Sequence, residues 1–344
     1  MKVFHCDHCD QLLFFENVMC MRCGRALAYL PELADLVSLD RKEPAAGALW
    51  SSPRAGKTLR LCANYVAHDV CNVAIAAEDP NALCRSCRLT RTIPNLSPPG
   101  NQRLWYDLEV AKRRLLYTLD QLGLRQDNLV FDFLENVLTG HANGVITVNL
   151  AEADPAERVR RKVELGEPYR TLLGHFRHEI GHYYWDELIA GSPRLLAFRE
   201  LFGDERASYD AAMHRHYQGA PAGWQDRYVS AYATMHPWED WAETWAHYLH
   251  MTDTLETAAA CGISLSPLRA DEPTLDKVPH PLERDVSFEQ MLSSWAAITY
   301  VLNNLNRGLG NGDAYPLSLA GPSIEKLRFV HETIPAPRPT IVHR

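Results

Sequence analysis

The cysteines of this chain constrain its fold more than any other feature. Eight of the nine lie between positions 6 and 87, and six of these form three C-x-x-C pairs. Because the sequence shows no secretion signal, this pattern favours metal binding over disulfide bonds. Cys6-x2-Cys9 is followed after ten residues by Cys20-x2-Cys23, a spacing typical of a zinc ribbon in which two knuckles meet around one ion.

A second metal site is predicted from Cys62, Cys71, Cys84 and Cys87, which include only one C-x-x-C pair. His68 is an alternative ligand in place of Cys62 or Cys71. A four-cysteine zinc site leaves no coordination position for a substrate, and it contributes folding energy to a region too small for its own core. We therefore expect two structural zinc ions in this part of the chain and no chemistry there.

Prolines and a glycine between positions 94 and 100 mark a domain boundary, where the cysteines also stop. Residues 1–95 are predicted to form a zinc-ribbon region. Within it, residues 40–57 are rich in Pro, Ala, Gly and Ser, which predicts a loop joining the two metal sites. Residues 101–334 are predicted to form a helix-rich domain, and the proline-rich residues 335–344 a flexible tail.

Apolar spacing, prolines near helix starts and glycines at helix ends predict a mainly helical second domain. Helices are expected over residues 105–122, 169–189, 237–251, 287–307 and 323–331. Alternating β-branched residues after a His-Ala-Asn-Gly turn predict a strand over residues 144–150. The chain as a whole is therefore predicted to be an α+β protein.

One of the predicted helices carries the segment His178-Glu179-Ile180-Gly181-His182. Residues four apart on a helix lie one turn above each other, so both histidines can reach one ion. Glu179 is placed to act as general base toward a water on that ion. Zinc hydrolases require this combination of neutral imidazoles, a nearby carboxylate and an open coordination position. The motif therefore predicts one catalytic zinc ion.

The third ligand of that ion must come from another segment. A metzincin would continue the same helix with a glycine and then a histidine or aspartate, but Trp185 and Leu188 occupy those positions, which excludes that class. Farther along the chain, Glu239 and Glu243 lie four residues apart on one face of a predicted helix. One of them can bind the ion, and the other can support a ligating histidine by a hydrogen bond.

This arrangement resembles that of gluzincins, especially the lethal-factor type, which has an E-x-x-A-E segment and a tyrosine seven residues before the ligand glutamate. The resemblance implies that Glu239 is the ligand and that Glu243 supports a histidine. It also implies that Tyr232 donates a hydrogen bond to the oxyanion formed during peptide hydrolysis. By its position alone, Tyr232 would more often be a packing aromatic.

A wider resemblance covers residues 88–94, 167–185 and 239–244, which are similar to segments of a bacterial family of zinc-binding metallopeptidases with an N-terminal zinc-ribbon region. The cysteine region extends the likeness toward the amino terminus, and the metal positions show no departure. The resemblance implies a zincin-like (gluzincin) catalytic domain joined to a small ribbon region. It also implies a peptide or protein substrate.

Several other residues have less specific assignments. The strand at 144–150 is either the edge strand that pairs with an extended peptide in zincins or a core strand. His175 is expected to be a surface or hydrogen-bonded histidine, with a position facing the cleft as the alternative. Other histidines are expected near the ligand helix (His236, His247 and His250) or on the solvated surface (His214 and His216).

Composition limits the partners and the compartment. A net charge of -8 argues against nucleic-acid binding through neutralisation of the phosphate backbone. With neither a membrane-length apolar run nor a signal peptide, a cytoplasmic protein is expected. Phe14 and Phe15 are predicted to pack on the ribbon hairpin or to contact a protein partner. Cys261, outside the clusters, is predicted to be a small buried hydrophobe.

Three functions are compatible with these features. The first is a zinc metallopeptidase in which Glu179 activates a water on the metal. The second is an inactive zincin-like adaptor that binds a protein or a nucleic acid through its ribbons, although the acidic charge disfavours a nucleic acid. The third is an amidase or deamidase-like hydrolase that uses the same metal site.

Overall fold

The computed structural model of the protein describes residues 1–42, 48–164, 170–283, 285–316 and 318–334. Helices and three β-sheets occur together in these residues, which confirms the α+β class. The predicted tail at 335–344 lies outside them. Within the described ranges, no helix is long and apolar enough to cross a membrane.

Short antiparallel strands build the amino-terminal part of the chain. Its elements are β1 (Phe4–His5), β2 (Leu12–Leu13), β3 (Ala26–Leu30), β4 (Asp35–Arg41), β5 (Leu49–Ser51), β6 (Thr58–Leu61), α1 (Ala63–His68), β7 (Ala74–Ala76) and α2 (Arg85–Arg88). Strands β1 and β2 form a hairpin, and β3 to β7 form a five-stranded antiparallel sheet in chain order. The first two cysteine pairs lie in turns between these strands, and the third, Cys84 and Cys87, lies at the start of α2 and within it.

The predicted loop at 40–57 is wrong. Strand β4 continues to Arg41, and β5 pairs with both β4 and β6. The prediction gave too much weight to the Pro, Ala and Gly content of the segment and too little to Leu49 and Trp50, which favour a pleated, half-buried surface. Residues 43–47 lie outside the described residues.

Aromatic rings and cysteines fill the core beneath the hairpin. Phe15 packs edge-on against Tyr29 with ring centroids 4.9 Å apart, and it also contacts Phe4 and Tyr117. Phe14 is 68% exposed. The prediction that both phenylalanines pack on the hairpin is therefore wrong for Phe14, which begins a turn after β2 in which the N–H of Asn17 donates to its carbonyl oxygen at 2.9 Å.

The helical part of the chain surrounds a small sheet. Its elements are β8 (Thr90–Thr92), α3 (Asn101–Gln121), β9 (Val130–Leu134), β10 (Gly140–Ala142), β11 (Val145–Asn149), α4 (Pro155–Glu164), α5 (Leu172–Leu188), α6 (Leu195–Phe202), α7 (Tyr209–His216), α8 (Pro237–Ala260), α9 (Phe288–Gly308) and α10 (Gly321–Thr333). The sheet order is β10-β11-β9-β8, in which β10 is antiparallel to β11 and the other neighbours are parallel.

Strand β11 corresponds to the predicted strand at 144–150, but it is not the edge of the sheet. A tight turn with positive φ at Asn143 (51°) and Gly144 (79°) folds β10 back onto it. A Cβ at Gly144 would lie 2.7 Å from the carbonyl oxygen of Asn128, so this turn requires glycine. The edge-strand prediction is wrong for β11, and β10 takes that place.

All five predicted helices are present, although their ends differ. Helix α5 begins at Leu172 because Thr171 caps it, its hydroxyl oxygen accepting a backbone N–H of the first turn at 2.9 Å. The predicted start at 169 is therefore wrong. Helix α8 continues past Met251 to Ala260, since no proline or glycine interrupts it.

Helices α5 and α8 pack in unusually close contact. A Cβ at Gly181 would lie 3.0 Å from Cα of Ala242 and 3.2 Å from Cβ of Trp245. Trp241 donates its indole N–H to the carbonyl oxygen of Gly181 at 2.8 Å. The absence of a side chain at Gly181 thus lets the two helices approach until side chains from both can meet.

Cys261 stands at the carboxyl end of α8 and is exposed. The prediction that it is a buried hydrophobe is wrong. Its backbone N–H still forms the hydrogen bond of the last helical turn. The chain leaves the helix at Gly262, which has a positive φ.

Candidate metal centre

Helices α5 and α8 bring three donor atoms to one point. Nε2 of His178 lies 3.2 Å from Nε2 of His182, and Oε2 of Glu239 lies 2.9 and 3.4 Å from these two nitrogens. All three residues are buried. Among the described residues, that carboxylate oxygen has no hydrogen-bond partner. Such a buried cluster is costly unless a cation lies between the donors.

The distances fit a zinc ion. Zinc bonds of about 2.0–2.1 Å in tetrahedral geometry place two donor atoms roughly 3.3–3.4 Å apart. Burial opposes ionisation of Glu239, but the nearby charges of His182 and His178 hold the pKa of its carboxyl group well below the usual range. The donor set of two imidazoles and one ionised carboxylate is the set that zinc favours, and it leaves one of four positions open.

Glu243 lies one turn beyond Glu239 and contacts a ligand instead of joining the donor cluster. Nδ1 of His178 donates to its Oε1 at 2.7 Å, which leaves Nε2 of that ring for the metal. The hydroxyl group of Ser230 donates to its Oε2 at 2.6 Å. Burial raises the pKa of Glu243, but the hydrogen bond and charge of His178 outweigh burial and lower it to about 2.

Glu179 lies beside the donor cluster with little exposure to solvent. Its Oε2 is buried without a hydrogen-bond partner in the described part of the chain, and its Oε1 lies 3.7 Å from Nε2 of His175. Nδ1 of His175 lies 3.4 Å from Oε2 of buried Glu152. Burial opposes ionisation of Glu152, but His175, Arg170 and Arg161 lower its pKa to about 2. His175 thus lies between two carboxylates, and its Nδ1 has no hydrogen-bond partner among the described residues.

Tyr232 packs against the same centre from the segment before α8. Its ring centroid lies 5.7 Å from that of His178. Burial, followed by the negative charge of Glu239 and the neighbouring Tyr209, raises the pKa of its phenol well above the usual range. The phenol therefore keeps its proton and can donate a hydrogen bond.

Three residues at the centre were not found from the sequence. They are Tyr209, whose hydroxyl donates to Oε1 of Glu239 at 2.8 Å, Ser230 and Trp238. The ring of Trp238 stacks on that of His182 with centroids 3.8 Å apart. For Trp238, helical adjacency to Glu239 is a signal that could have been used. Tyr209 and Ser230 lie in irregular or short elements, where spacing gives no signal.

The remaining histidines lie around the centre without joining it. His214 is exposed, as predicted, but His216 is half-buried and its ring packs edge-on against Tyr232 with centroids 5.4 Å apart, so the surface prediction is wrong for His216. His236 caps helix α8. His247 and His250 are buried farther along α8, where they contact Tyr315 and Arg177.

The eight clustered cysteines form two groups of four. Zinc–sulfur bonds of about 2.3 Å in a tetrahedron place two sulfur atoms roughly 3.8 Å apart. The distance between Sγ atoms is 3.8 Å from Cys6 to Cys23 and 3.6 Å from Cys9 to Cys20. In the second group it is 3.8 Å from Cys71 to Cys84. Both groups therefore have the dimensions of closed four-thiolate zinc sites.

The cysteines within each group differ in their local environment, and burial raises the pKa of the Cys6 thiol to about 12. In the first group, the Cys20 thiol has its pKa lowered to about 6, mainly by a hydrogen bond from the backbone N–H of Cys23. In the second, Cys62 joins Cys71, Cys84 and Cys87, and all four are buried. The alternative ligand His68 is not used, because its ring packs against Trp105 instead.

A helical domain with one centre of two histidines and a glutamate, next to a ribbon with two four-cysteine groups, defines the class of zinc-binding, metallopeptidase-like proteins. The chain belongs to the family described as "Putative zinc-binding metallo-peptidase", which matches residues 101–333. A zinc-ribbon domain matches residues 3–98.

Relatives extend over nearly the whole chain. An uncharacterized protein of Mycobacterium tuberculosis is 43% identical over 350 aligned positions, which cover 97% of this chain and 95% of the relative. An uncharacterized protein of Mycobacterium bovis matches to the same extent. No solved structure matches the chain.

Proposed function

We propose that this protein is a zinc-dependent hydrolase and, within that class, a metallopeptidase of the gluzincin type. The observation that carries the proposal is the convergence of His178, His182 and Glu239, with Glu179 beside them. A zinc ion bound there supplies a Lewis acid and an activated water. The family membership supports both the metal and the reaction class.

Glu179 is the proposed general base. Its buried carboxylate oxygen, which has no hydrogen-bond partner among the described residues, lies beside the donor cluster, so it can take a proton from the attacking water and later deliver it to the leaving amine. Tyr232 is the proposed donor to the oxyanion, because its phenol remains protonated and its ring lies against His178. Glu243 orients His178 through the hydrogen bond to Nδ1.

The sheet supports a peptide as the substrate. Strand β10 (Gly140–Ala142) is the antiparallel edge, and β10 contacts helix α5, which carries two of the proposed ligands. An extended peptide that adds to such an edge forms main-chain hydrogen bonds with it. A small amide would gain nothing from this edge, so the geometry favours peptides over the amidase alternative.

The proposed metal content is three zinc ions. One is catalytic and is held by His178, His182 and Glu239. The other two are structural, and each is held by one four-cysteine group. Metal analysis of the purified protein tests this number, and removing one ligand from each site by mutation assigns the ions.

The decisive variant is Glu179→Gln. Its expected effect is a fall of roughly 10²–10⁴-fold in hydrolysis of a peptide library, because a positioned general base contributes about that much. Zinc content should not change, since Glu179 is not a proposed ligand. Mass spectrometry of the products identifies the broken bond and so separates peptide cleavage from deamidation.

The matched control is Glu187→Gln, which changes an exposed carboxylate on the same helix. It should leave hydrolysis unchanged. If Glu179→Gln retained the full rate with zinc still bound, the proposed role of Glu179 would be wrong. If the zinc-loaded wild-type protein cleaved no peptide in a diverse library, the peptidase proposal itself would fail.

A further inference from the structure

Helix α7 contributes a side chain to the metal centre. Tyr209, the first residue of that helix, donates its hydroxyl hydrogen to Oε1 of Glu239 at 2.8 Å. The other carboxylate oxygen, Oε2, lies 2.9 Å from Nε2 of His178 and has no hydrogen-bond partner within the described ranges. The two oxygens of Glu239 therefore have different surroundings, one facing a phenol and the other facing the histidines.

This difference matters for a catalytic metal. A carboxylate can bind a metal through one oxygen or through both, and a catalytic zinc needs an open position for water or substrate. A hydrogen bond to an ionised oxygen is stronger than one between neutral groups. The phenol of Tyr209 therefore competes with the metal for Oε1 and disfavours binding through both oxygens.

A second contact holds Tyr209 in place. Nε2 of His236 donates to the carbonyl oxygen of Ala207 at 3.0 Å, and Nδ1 of the same ring accepts the N–H of Trp238 at 3.1 Å. The ring of Tyr209 also packs against His236, with centroids 5.4 Å apart. His236 thus ties the start of α7 to the first turn of α8, the turn that carries Glu239.

We propose that Tyr209 is a positioning residue that holds Glu239 as a one-oxygen ligand and so keeps a coordination position open. The inference rests on the proposed function in one respect, since it takes His178, His182 and Glu239 as the metal ligands. It assigns to Tyr209 a task distinct from that of Tyr232, which is proposed to contact the substrate.

The test replaces only the catalytic ion with Co²⁺, whose visible absorption depends on coordination number. A mild chelator removes the accessible ion, one equivalent of Co²⁺ is added, and metal analysis verifies that zinc stays in the ribbon. In Tyr209→Phe, we expect Glu239 to bind through both oxygens, so the visible band weakens as the coordination number rises. In activity assays, kcat should fall more than KM changes.

The matched control is Tyr217→Phe, which removes a hydroxyl from a 77% exposed tyrosine just after the same helix. Its spectrum should equal that of the wild-type protein. An unchanged spectrum in Tyr209→Phe would overturn the inference. Because the spectrum requires no substrate, this result is separate from a failure of the wild-type protein to cleave peptides, which concerns the proposed function alone.

A measurement on the wild-type protein keeps the inference testable if Tyr209→Phe does not fold. X-ray absorption at the cobalt edge reports only the replaced ion and not the ribbon zinc. One Glu239 oxygen at bonding distance and the other beyond it is the expected result. Two oxygens at bonding distance in the wild-type protein would overturn the inference.

Discussion

The four-cysteine groups and the His178–His182–Glu239 centre are assembled in different ways. The cysteine groups lie within residues 6–87, and their ligands come largely from knuckles a few residues long. The other centre joins two helices whose ligands are separated by a long stretch of chain. Local turns suffice for the first kind of site, whereas the second depends on how closely α5 and α8 pack.

The two kinds of site also differ in what surrounds the donor atoms. Four thiolates complete a tetrahedron and leave no position for another ligand. The His178–His182–Glu239 centre has three donors, and Glu179, Tyr232 and Tyr209 lie around it. This difference supports a structural role for zinc in the cysteine groups, and it supports the proposal that the helical centre, with Glu179 and two phenols beside its three donors, is the reactive one.

The largest expected effect is that of Cys84→Ala, which removes a ligand from the fully buried cysteine group. Apparent binding free energies of structural zinc are about 10–16 kcal/mol, as large as the stability of a whole domain. We expect zinc content to fall by one and residues 1–95 to lose cooperative unfolding, measured by metal analysis and limited proteolysis.

Cys261→Ala is the control for that variant, because Cys261 is exposed and belongs to neither group. It should retain all zinc and the wild-type unfolding curve. His182→Ala supplies the contrast between the two kinds of site, since it should also lose one zinc ion but keep the ribbon folded. Equal damage to the ribbon by His182→Ala and Cys84→Ala would contradict the comparison.

A smaller effect is expected for Glu243→Gln, which keeps the shape of the side chain but removes its charge. A neutral acceptor orients His178 less firmly, and changes of this kind cost roughly 10–100-fold in metal affinity. Competition with a chromophoric chelator measures the affinity of the helical centre. Glu187→Gln, on the exposed face of α5, should leave it unchanged. Equal affinities in both variants would mean that Glu243 does not support the ligand.

The smallest expected effect is that of Gly181→Ala, which tests whether helix packing builds the centre. The new Cβ would lie 3.0 Å from a backbone atom of α8, and overpacking of this kind costs about 1–3 kcal/mol. A Cβ at Gly308, near the end of α9, would meet no other atom. Gly308→Ala should therefore only stabilise the protein, by up to about 1 kcal/mol, through the higher helix propensity of alanine. Denaturant unfolding should show Gly181→Ala as the less stable variant, and equal stabilities would contradict this account.

The predictions from sequence succeeded where the signal was local or periodic. The segment from His178 to His182 implies that both histidines lie on one helical face, and the structure has them there. Glu239 and Glu243 could not be told apart by spacing, and the resemblance to gluzincins was needed to choose between them. In the structure Glu239 faces both imidazoles, whereas Glu243 reaches the ligand His178 only at Nδ1, the nitrogen that points away from the donor cluster.

The predictions failed where the decisive contact joins distant segments. Residues 40–57 were predicted as a loop because the β-favouring residues Leu49 and Trp50 are few, and their pairing with β4 and β6 joins separate segments. His216 was predicted at the surface because its neighbours are polar, but α7 folds over the centre and packs it against Tyr232. In both cases tertiary contacts outweighed local preference.

The sequence by itself determined the kinds of ligand in this protein, because cysteine knuckles and two histidines one turn apart follow from short-range geometry. Only the tertiary structure showed that Glu239 faces both imidazoles and that Tyr209 donates to its other oxygen. The physical reason is that these contacts depend on the distance between α5, α7 and α8. Packing at Gly181 and the hydrogen bonds of His236 set that distance, and no local pattern encodes it.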